Sequence, residues 1–496
     1  MTATLQLKTA PVTEITTDIL ISFFYSEQFT AEHDVLTQIK QLTTLDVTEL
    51  AKDEKFEAKA GQTLLLRGLA GFPTQRVLLV GLGASDDATV ATTLDAAAQA
   101  AREARGTKAT TASIALPSDD AAVVEAIATG LNLGAYQYTT YMTSKEDSYK
   151  GIKSIDLLTT EALKDTLSRA QILSEAVALT RDVVNMPPQD LYPESFAQEA
   201  IKVAEAHGLE HTIFDDHTLE EKGFNLLMAV GKGSDKKPRL IHLTYTPDNG
   251  EFHHTIAFVG KGVTFDTGGN NIKTGSYMYH MHSDMAGGGA VLGAAKAIGA
   301  LKPAGVKIHF LIAAAENSVS GNAMRPNDIY RGYGDKTVEI GNTDAEGRLC
   351  LADALAYAEE LGSETIIDLA TLTGACVVAL GDYTSGMFTD SDELYADLQA
   401  SIAQSGEDFW RLPLHKKLDK QLDSQVADMK NIGGSSGGAI TAALFLKRWV
   451  TIPRWAHFDI AAPAYFDSPK GTMAAGGTGF GVTTLVNLAE TIGKQK

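Results

Sequence analysis

Three nearly continuous apolar runs, at 255–259, 307–314 and 365–369, limit the folds open to this chain more than any other feature. A strand with one face in water alternates apolar and polar residues. A strand without that alternation is covered on both faces, as in a sheet sandwiched by helices. Sheets of this kind carry their chemistry in turns at the carboxyl ends of the strands, and glycine-rich turns follow several of these runs. Apolar runs also occur earlier, at Ile19-Leu20-Ile21, Thr63-Leu64-Leu65-Leu66 and Val77-Leu78-Leu79-Val80, alternating with helical stretches such as the alanine-rich 94–105. That alternation predicts a smaller N-terminal α/β domain over 1–155 with a largely parallel sheet. Leu163, Leu167, Ala170, Leu173 and Val177 then recur at helical spacing before Pro187-Pro188, which predicts a linker helix over 156–185. Residues 186–496 are left for a larger C-terminal α/β domain with a central mixed sheet sandwiched by helices. A chain of 496 residues exceeds what one hydrophobic core organises, in keeping with this division.

Charge narrows the partners. Acidic residues number 62 against 42 basic ones, a formal net charge of −20, which repels phosphate backbones and anionic membrane surfaces. Nucleic acid is therefore disfavoured as a partner. The two cysteines, Cys350 and Cys376, exclude a disulfide framework or a CxxC site and fit a reducing compartment. The N-terminus lacks a basic stretch followed by an apolar segment, and no run approaches the ~18 apolar residues of a membrane helix. A cytoplasmic protein without membrane association is expected.

Polar residues gather densely beside the apolar strands in 259–289. Lys261 and Asp266 are read as flanking the turn after strand 255–259, where Gly268-Gly269 permit a sharp bend. Lys273 and Asp284 follow, with Asp284 just ahead of an alanine- and glycine-rich helix at 286–300; taken alone, Asp284 reads equally well as a helix cap. A second set lies in 341–349. Read as an extended segment, it points Asp344, Glu346 and Arg348 to one side. Two carboxylates on one face repel each other unless cations neutralise them, and a helix N-terminus near 347 helps only in part. Together, Asp266, Asp284, Asp344 and Glu346 oppose Lys261, Lys273 and Arg348. One reading is a salt-bridge network; the other is an oxygen-rich site for two divalent ions ~3.5–4 Å apart.

Other motifs are weaker. His253-His254, His280, His282, His309 and His457 form no HExxH arrangement. Gly81-Leu82-Gly83 begins a dinucleotide fingerprint, but Asp86 replaces its third glycine, so an ordinary strand-to-helix turn is expected. The glycine- and serine-rich stretch 433–438 precedes an apolar helix at 439–450 and lacks the Lys-Ser/Thr of a P-loop. A two-metal phosphoesterase would need more Asn and His ligands and a cationic groove, which this acidic chain does not offer.

Residues 342–349, NTDAEGRL, match the signature of the leucyl aminopeptidase family, the M17 cytosol aminopeptidases, at all eight positions. Segments 260–269, 313–329, 368–381 and 455–464 are similar to family segments in the same order. The resemblance covers about 185–490 and implies a two-metal catalytic domain over 186–496. It implies one metal at Asp266, Asp344 and Glu346, with the Asp344 carbonyl assisting, and a second at Lys261, Asp266, Asp284 and Glu346. Manganese or zinc fits such ligands, as do magnesium and cobalt. Lysine ligates only as the neutral amine, which an adjacent dication favours. By the same resemblance Lys273 stabilises a developing oxyanion, and Arg348 holds a bicarbonate or water that moves the proton. The resemblance further implies that Met281, Thr371, Gly374 and Ala461 line a pocket for a leucine-like first side chain, with Asn342 and Leu372 as further substrate-binding residues. The implied activity is release of N-terminal residues from peptide substrates by a homohexamer. Asn270-Asn271, His282 and Gly289 depart from the family pattern beside Lys273 and Asp284.

Overall fold

The computed structural model describes residues 2–143 and 151–495. Two compact units emerge. One runs through to Ala178 and takes back Ser468–Ala475; the other comprises Leu179–Asp467 and the chain from Gly476 onward. The division falls inside the helix Lys164–Asn185.

The first unit is built on a six-stranded sheet in the order Thr4–Lys8, Ser154–Leu158, Thr111–Ala115, Ile19–Phe24, Arg76–Gly81, Thr63–Arg67. Every neighbouring pair is parallel except the last, so the expected largely parallel sheet is present. Alternation along the strands sorts the core: Ile19, Ile21 and Phe23 join the helices Val90–Gly106 and Ala121–Ala135, whereas Leu20 and Phe24 join Val35, Leu36 and Ile39. Gly81 ends its strand in the plain turn expected.

In the second unit eight strands run in the order Phe409–Arg411, Ser385–Phe388, Arg454–Asp459, Thr365–Ala370, Phe252–Asp266, Gly305–Asn317, Arg239–Tyr245, Glu210–Phe214. The four central strands are parallel and antiparallel pairings appear toward the edges, giving the mixed sheet predicted. Ala286–Leu301, with Pro193–His207 and Val482–Lys494 beside it, covers one face. Gly347–Glu360, with Asn225–Gly231 and Gly438–Lys447, covers the other. No helix among the described residues is long and apolar enough to cross a membrane.

Two local expectations need correction. The central strand does not stop at 259 but runs from Phe252 to Asp266, because Gly260 through Val263 keep pairing with Ile312 through Ala315. Lys261 and Asp266 therefore belong to the strand, and the turn comes after them, at Gly268 and Gly269 with φ of +84° and +62°. Residues 341–346 form turns rather than an extended segment, and the helix Gly347–Glu360 starts directly behind them.

Glycine also fixes how the Ala286–Leu301 helix meets the sheet. A Cβ on Gly260 would stand 2.6 Å from the Gly288 Cα, and one on Gly287 would stand 2.1 Å from the Leu369 carbonyl oxygen. Backbone thus lies directly on backbone, which brings the segment before the helix, including Asp284, against Lys261.

Candidate metal centre and substrate cleft

Lys261 reaches the carboxyl end of the sheet, where its ammonium is 2.8 Å from Asp284 and 2.9 Å from Glu346 Oε1, and donates to the Thr371 carbonyl at 2.9 Å. Lys273 Nζ sits 2.9 Å from Asp266 Oδ2 and 2.6 Å from Asp344 Oδ1. Asp284 is not a helix cap: its Oδ1 accepts from the Thr371 hydroxyl at 2.7 Å, and Met285 occupies the cap position. The structure therefore gathers Lys261, Asp266, Lys273, Asp284, Asp344 and Glu346 into one cluster. Arg348 is buried behind it, donating from Nη1 to the Asn431 carbonyl at 2.9 Å.

The supporting residues are ones that sequence reasoning passed over. Asn317 donates to Asp266 Oδ1 at 2.7 Å and to the Thr343 carbonyl at 3.1 Å, tying the central strand to the 341–346 turns. The Thr343 hydroxyl donates to the Gly268 carbonyl at 2.6 Å and accepts from the Asn271 amide at 2.8 Å. Asn431 accepts from the Gly341 and Asn342 amides and donates to the Asn342 and Ala345 carbonyls. Asp459 uses Oδ1 to accept from the amides of Leu372, Thr373 and Ala461, and Oδ2 to accept from the Thr373 hydroxyl at 2.6 Å.

Burial and charge act against each other here. Burial disfavours the Lys261 ammonium, but Asp284, Glu346 and Asp266 outweigh it and hold the group above its ordinary value. Lys273 is likewise raised, burial being outweighed by Asp266 and Glu346. Burial lifts Asp266 and Asp284 above the usual carboxylate range, with Glu346 repelling both. Burial would raise Glu346 too, but Lys261 and Lys273 hold it below its ordinary value. Arg348 is pushed down to about 10 by burial, against the attraction of Glu346 and Asp459. Three buried carboxyl groups and the more exposed Asp344 thus share two ammonium groups.

That imbalance suits divalent cations. Asp266, Asp284 and Glu346 each offer an oxygen within 4.8 Å of the others, and all three residues are buried. Glu346 Oε2 is buried without a hydrogen-bond donor, and Asp284 Oδ2 is buried with only the Lys261 ammonium beside it, at 2.8 Å. Buried carboxylate oxygens are ordinarily satisfied, so Glu346 Oε2 has the character of a ligand atom.

The cluster opens into a cleft of about 500 Å³, lined also by Met281, Thr371, Leu372, Gly374, Ala461 and Tyr465. Asn342 and Arg348 are not among its lining residues; Asn342 Oδ1 instead accepts from the Asp344 amide at 2.8 Å. The remaining histidines divide. His309 bonds His242 and His457 bonds Asp368 inside the sheet, whereas His280 and His282 pack at the cleft against Tyr465.

A carboxylate-lined cleft at the carboxyl ends of a helix-flanked sheet is the setting of a hydrolase. Residues 178–486 match the catalytic-domain model of the cytosol aminopeptidase family, and residues 20–145 match its N-terminal-domain model. The chain belongs to the cytosol aminopeptidase family and is a peptidase. A "Probable cytosol aminopeptidase" of Rippkaea orientalis is 42% identical over 483 residues, covering 96% of this chain and 97% of that one. Among solved structures, a lysine-to-glutamate mutant of tomato leucine aminopeptidase is 35% identical, with a TM-score of 0.89 over 98% of this chain and 96% of its own. The bottromycin maturation enzyme BotP in complex with Mn is 34% identical, with a TM-score of 0.85 over 97% of this chain and all of its own.

Proposed function

We propose that this protein releases N-terminal residues from peptides, leucine-like ones among them, with two divalent cations at the buried cluster. The observation that carries the reading is the group of three buried carboxylates, Asp266, Asp284 and Glu346, each offering an oxygen within 4.8 Å of the others beside a partly apolar cleft. Asp266, Asp344 and Glu346 would hold one cation; Lys261, Asp266, Asp284 and Glu346 would hold the other. The manganese in the BotP complex supports manganese as one such ion, and the tomato leucine aminopeptidase supports a leucine-like substrate. Cations held there would supply Lewis acidity toward a carbonyl oxygen and acidify water at neutral pH, as two-metal hydrolase sites do.

The chain's own groups take the remaining tasks. Lys261 would ligate as a neutral amine, which requires it to give up its proton when a cation is held there. Lys273 keeps its charge and faces the oxygen that becomes negative as the carbonyl is attacked. Arg348 has a buried Nε without an acceptor and stays cationic, so it positions a bicarbonate or water rather than accepting a proton. Met281, Thr371, Leu372, Gly374 and Ala461 receive the first side chain, with Asn342 holding the turn at Asp344. A homohexamer in the cytoplasm completes the proposal.

The test is hydrolysis of leucine p-nitroanilide by the metal-free protein supplied with manganese, zinc, magnesium or cobalt in turn. Turnover with at least one metal, and none on N-blocked peptides, is expected. Failure with every metal overturns the reading.

A further inference from the structure

Tyr465 stands in the cleft wall together with Met281, Gly374, Ala461 and Ala464. Its ring is held from two sides. His280 lies against it with centroids 4.7 Å apart and planes 36° apart, and His282 meets it edge-on at 5.6 Å and 87°. His280 is itself fixed: Tyr279 packs on it at 4.0 Å, and its Nε2 is 3.2 Å from Asp467 Oδ1. Its backbone adopts φ +71°, a left-handed conformation that non-glycine residues rarely take and that persists where the surroundings impose it. In the same cleft, Gly374, Ala461 and Ala464 carry nothing beyond a methyl group, which leaves room for a large side chain.

We propose that this wall selects an aromatic first residue, so that peptides beginning with Phe, Tyr or Trp are accepted at least as well as those beginning with Leu. The proposal rests on the aminopeptidase reading and adds a substrate class to it. Aromatic pairs in offset or edge-to-face arrangement gain attraction beyond the area they bury. A ring already locked by its neighbours loses little freedom when substrate arrives. Tyr465 is thus a specificity-determining residue, and His280 and His282 are positioning residues that act through it.

The experiment compares kcat/KM for phenylalanine and leucine p-nitroanilides in the metal-loaded wild type, Tyr465→Phe, Tyr465→Leu and His280→Asn. Asn tolerates the left-handed backbone while removing the stacked ring. The Phe/Leu ratio is expected to be one or more in wild type, to survive in Tyr465→Phe, and to fall about two- to tenfold in Tyr465→Leu, the range of an aromatic pair. A smaller fall in the same direction, with altered KM rather than kcat, is expected for His280→Asn. Calorimetric affinities for L-phenylalaninol and L-leucinol should follow the same order without turnover. A ratio below one in wild type, or one unmoved by Tyr465→Leu, overturns the inference, as does an effect confined to the second residue of Leu-Phe against Leu-Ala. Absence of hydrolysis with every substrate would instead overturn the aminopeptidase reading.

Discussion

Gly347, the first residue of the Gly347–Glu360 helix, lies so close to Lys261 that a Cβ added to it would be 2.4 Å from the lysine Cε and 2.7 Å from Nζ. The lysine head occupies the place of the missing side chain, with Asp284, Glu346 and the Thr371 carbonyl on its remaining sides.

Gly347→Ala should separate folding from activity. The clash falls on the end of a side chain, which can move, and alanine favours helix by ~0.5–1 kcal/mol over glycine. Thermal stability should stay near that of wild type. The amine, however, leaves its position, and a displacement of about 1 Å can lower turnover on the order of a hundredfold. Melting curves measured alongside kcat/KM for leucine p-nitroanilide check both halves.

Cation binding should be visible without substrate. Manganese or zinc binding only the folded state stabilises it by about 2.7 kcal/mol per site at a hundredfold excess over Kd. Denaturant titrations with and without metal should show this gain in wild type and its loss, at least in part, in Asp284→Asn and Glu346→Gln. Equal gains in all three proteins would remove these residues from the ligand set.

Asp459 holds both sides of the cleft through four donors, so the two ways of removing its charge should differ. Asp459→Ala leaves part-buried amides without their acceptor, at up to about 1–3 kcal/mol each, and should unfold more readily. Asp459→Asn keeps one carbonyl oxygen for the Leu372, Thr373 and Ala461 amides, and should fold while raising KM more than it lowers kcat. Steady-state kinetics of the asparagine variant decide whether Asp459 acts on the cleft.

Glu407 provides a pH test away from the cluster. Its buried carboxyl accepts from the Gly481 amide and from the amide and hydroxyl of Thr484, yet burial pushes it up to about 7 from an ordinary 4.5. Below pH 4.5 it is protonated in both folded and unfolded chains. Between 4.5 and 7 the unfolded chain gives up the proton and the folded one retains it, so stability falls as pH rises. Wild type should lose on the order of 3 kcal/mol relative to Glu407→Gln across that window, measured by denaturant titrations at several pH values. A constant difference between the two proteins would contradict it.

How much of this was legible in the sequence depended on range. The strands at 255–259, 307–314 and 365–369 were readable because burial on both faces leaves an apolar run, and the helices from 286 and 347 followed from local composition. The central strand's last third was not, since Gly260, Lys261 and Gly262 look like a turn until the pairing with Ala313 and Ala314 is known. The turns at 341–346 read as a strand in sequence because they follow the short run Val338-Glu339-Ile340 and their tertiary partner, Asn431, is remote. The charged residues of the cluster stood out as carboxylates and lysines close in sequence. Asn317, Asn431 and Asp459 did not, because their partners lie up to 90 residues away and neutral amides carry no mark of their role.

The contact of Gly260 with Gly288 bears on how well the site tolerates change elsewhere. Where two elements meet through side chains, each rotamer is a source of slack, and drift in the core passes into their separation. Here the spacing is set by peptide units, whose dimensions scarcely vary. The distance from the Lys261 strand to the Asp284 segment is therefore set by van der Waals contact of backbone on backbone. Sequence drift in the surrounding core can proceed with little effect on it, while a single methyl group at the joint would be felt at the cluster.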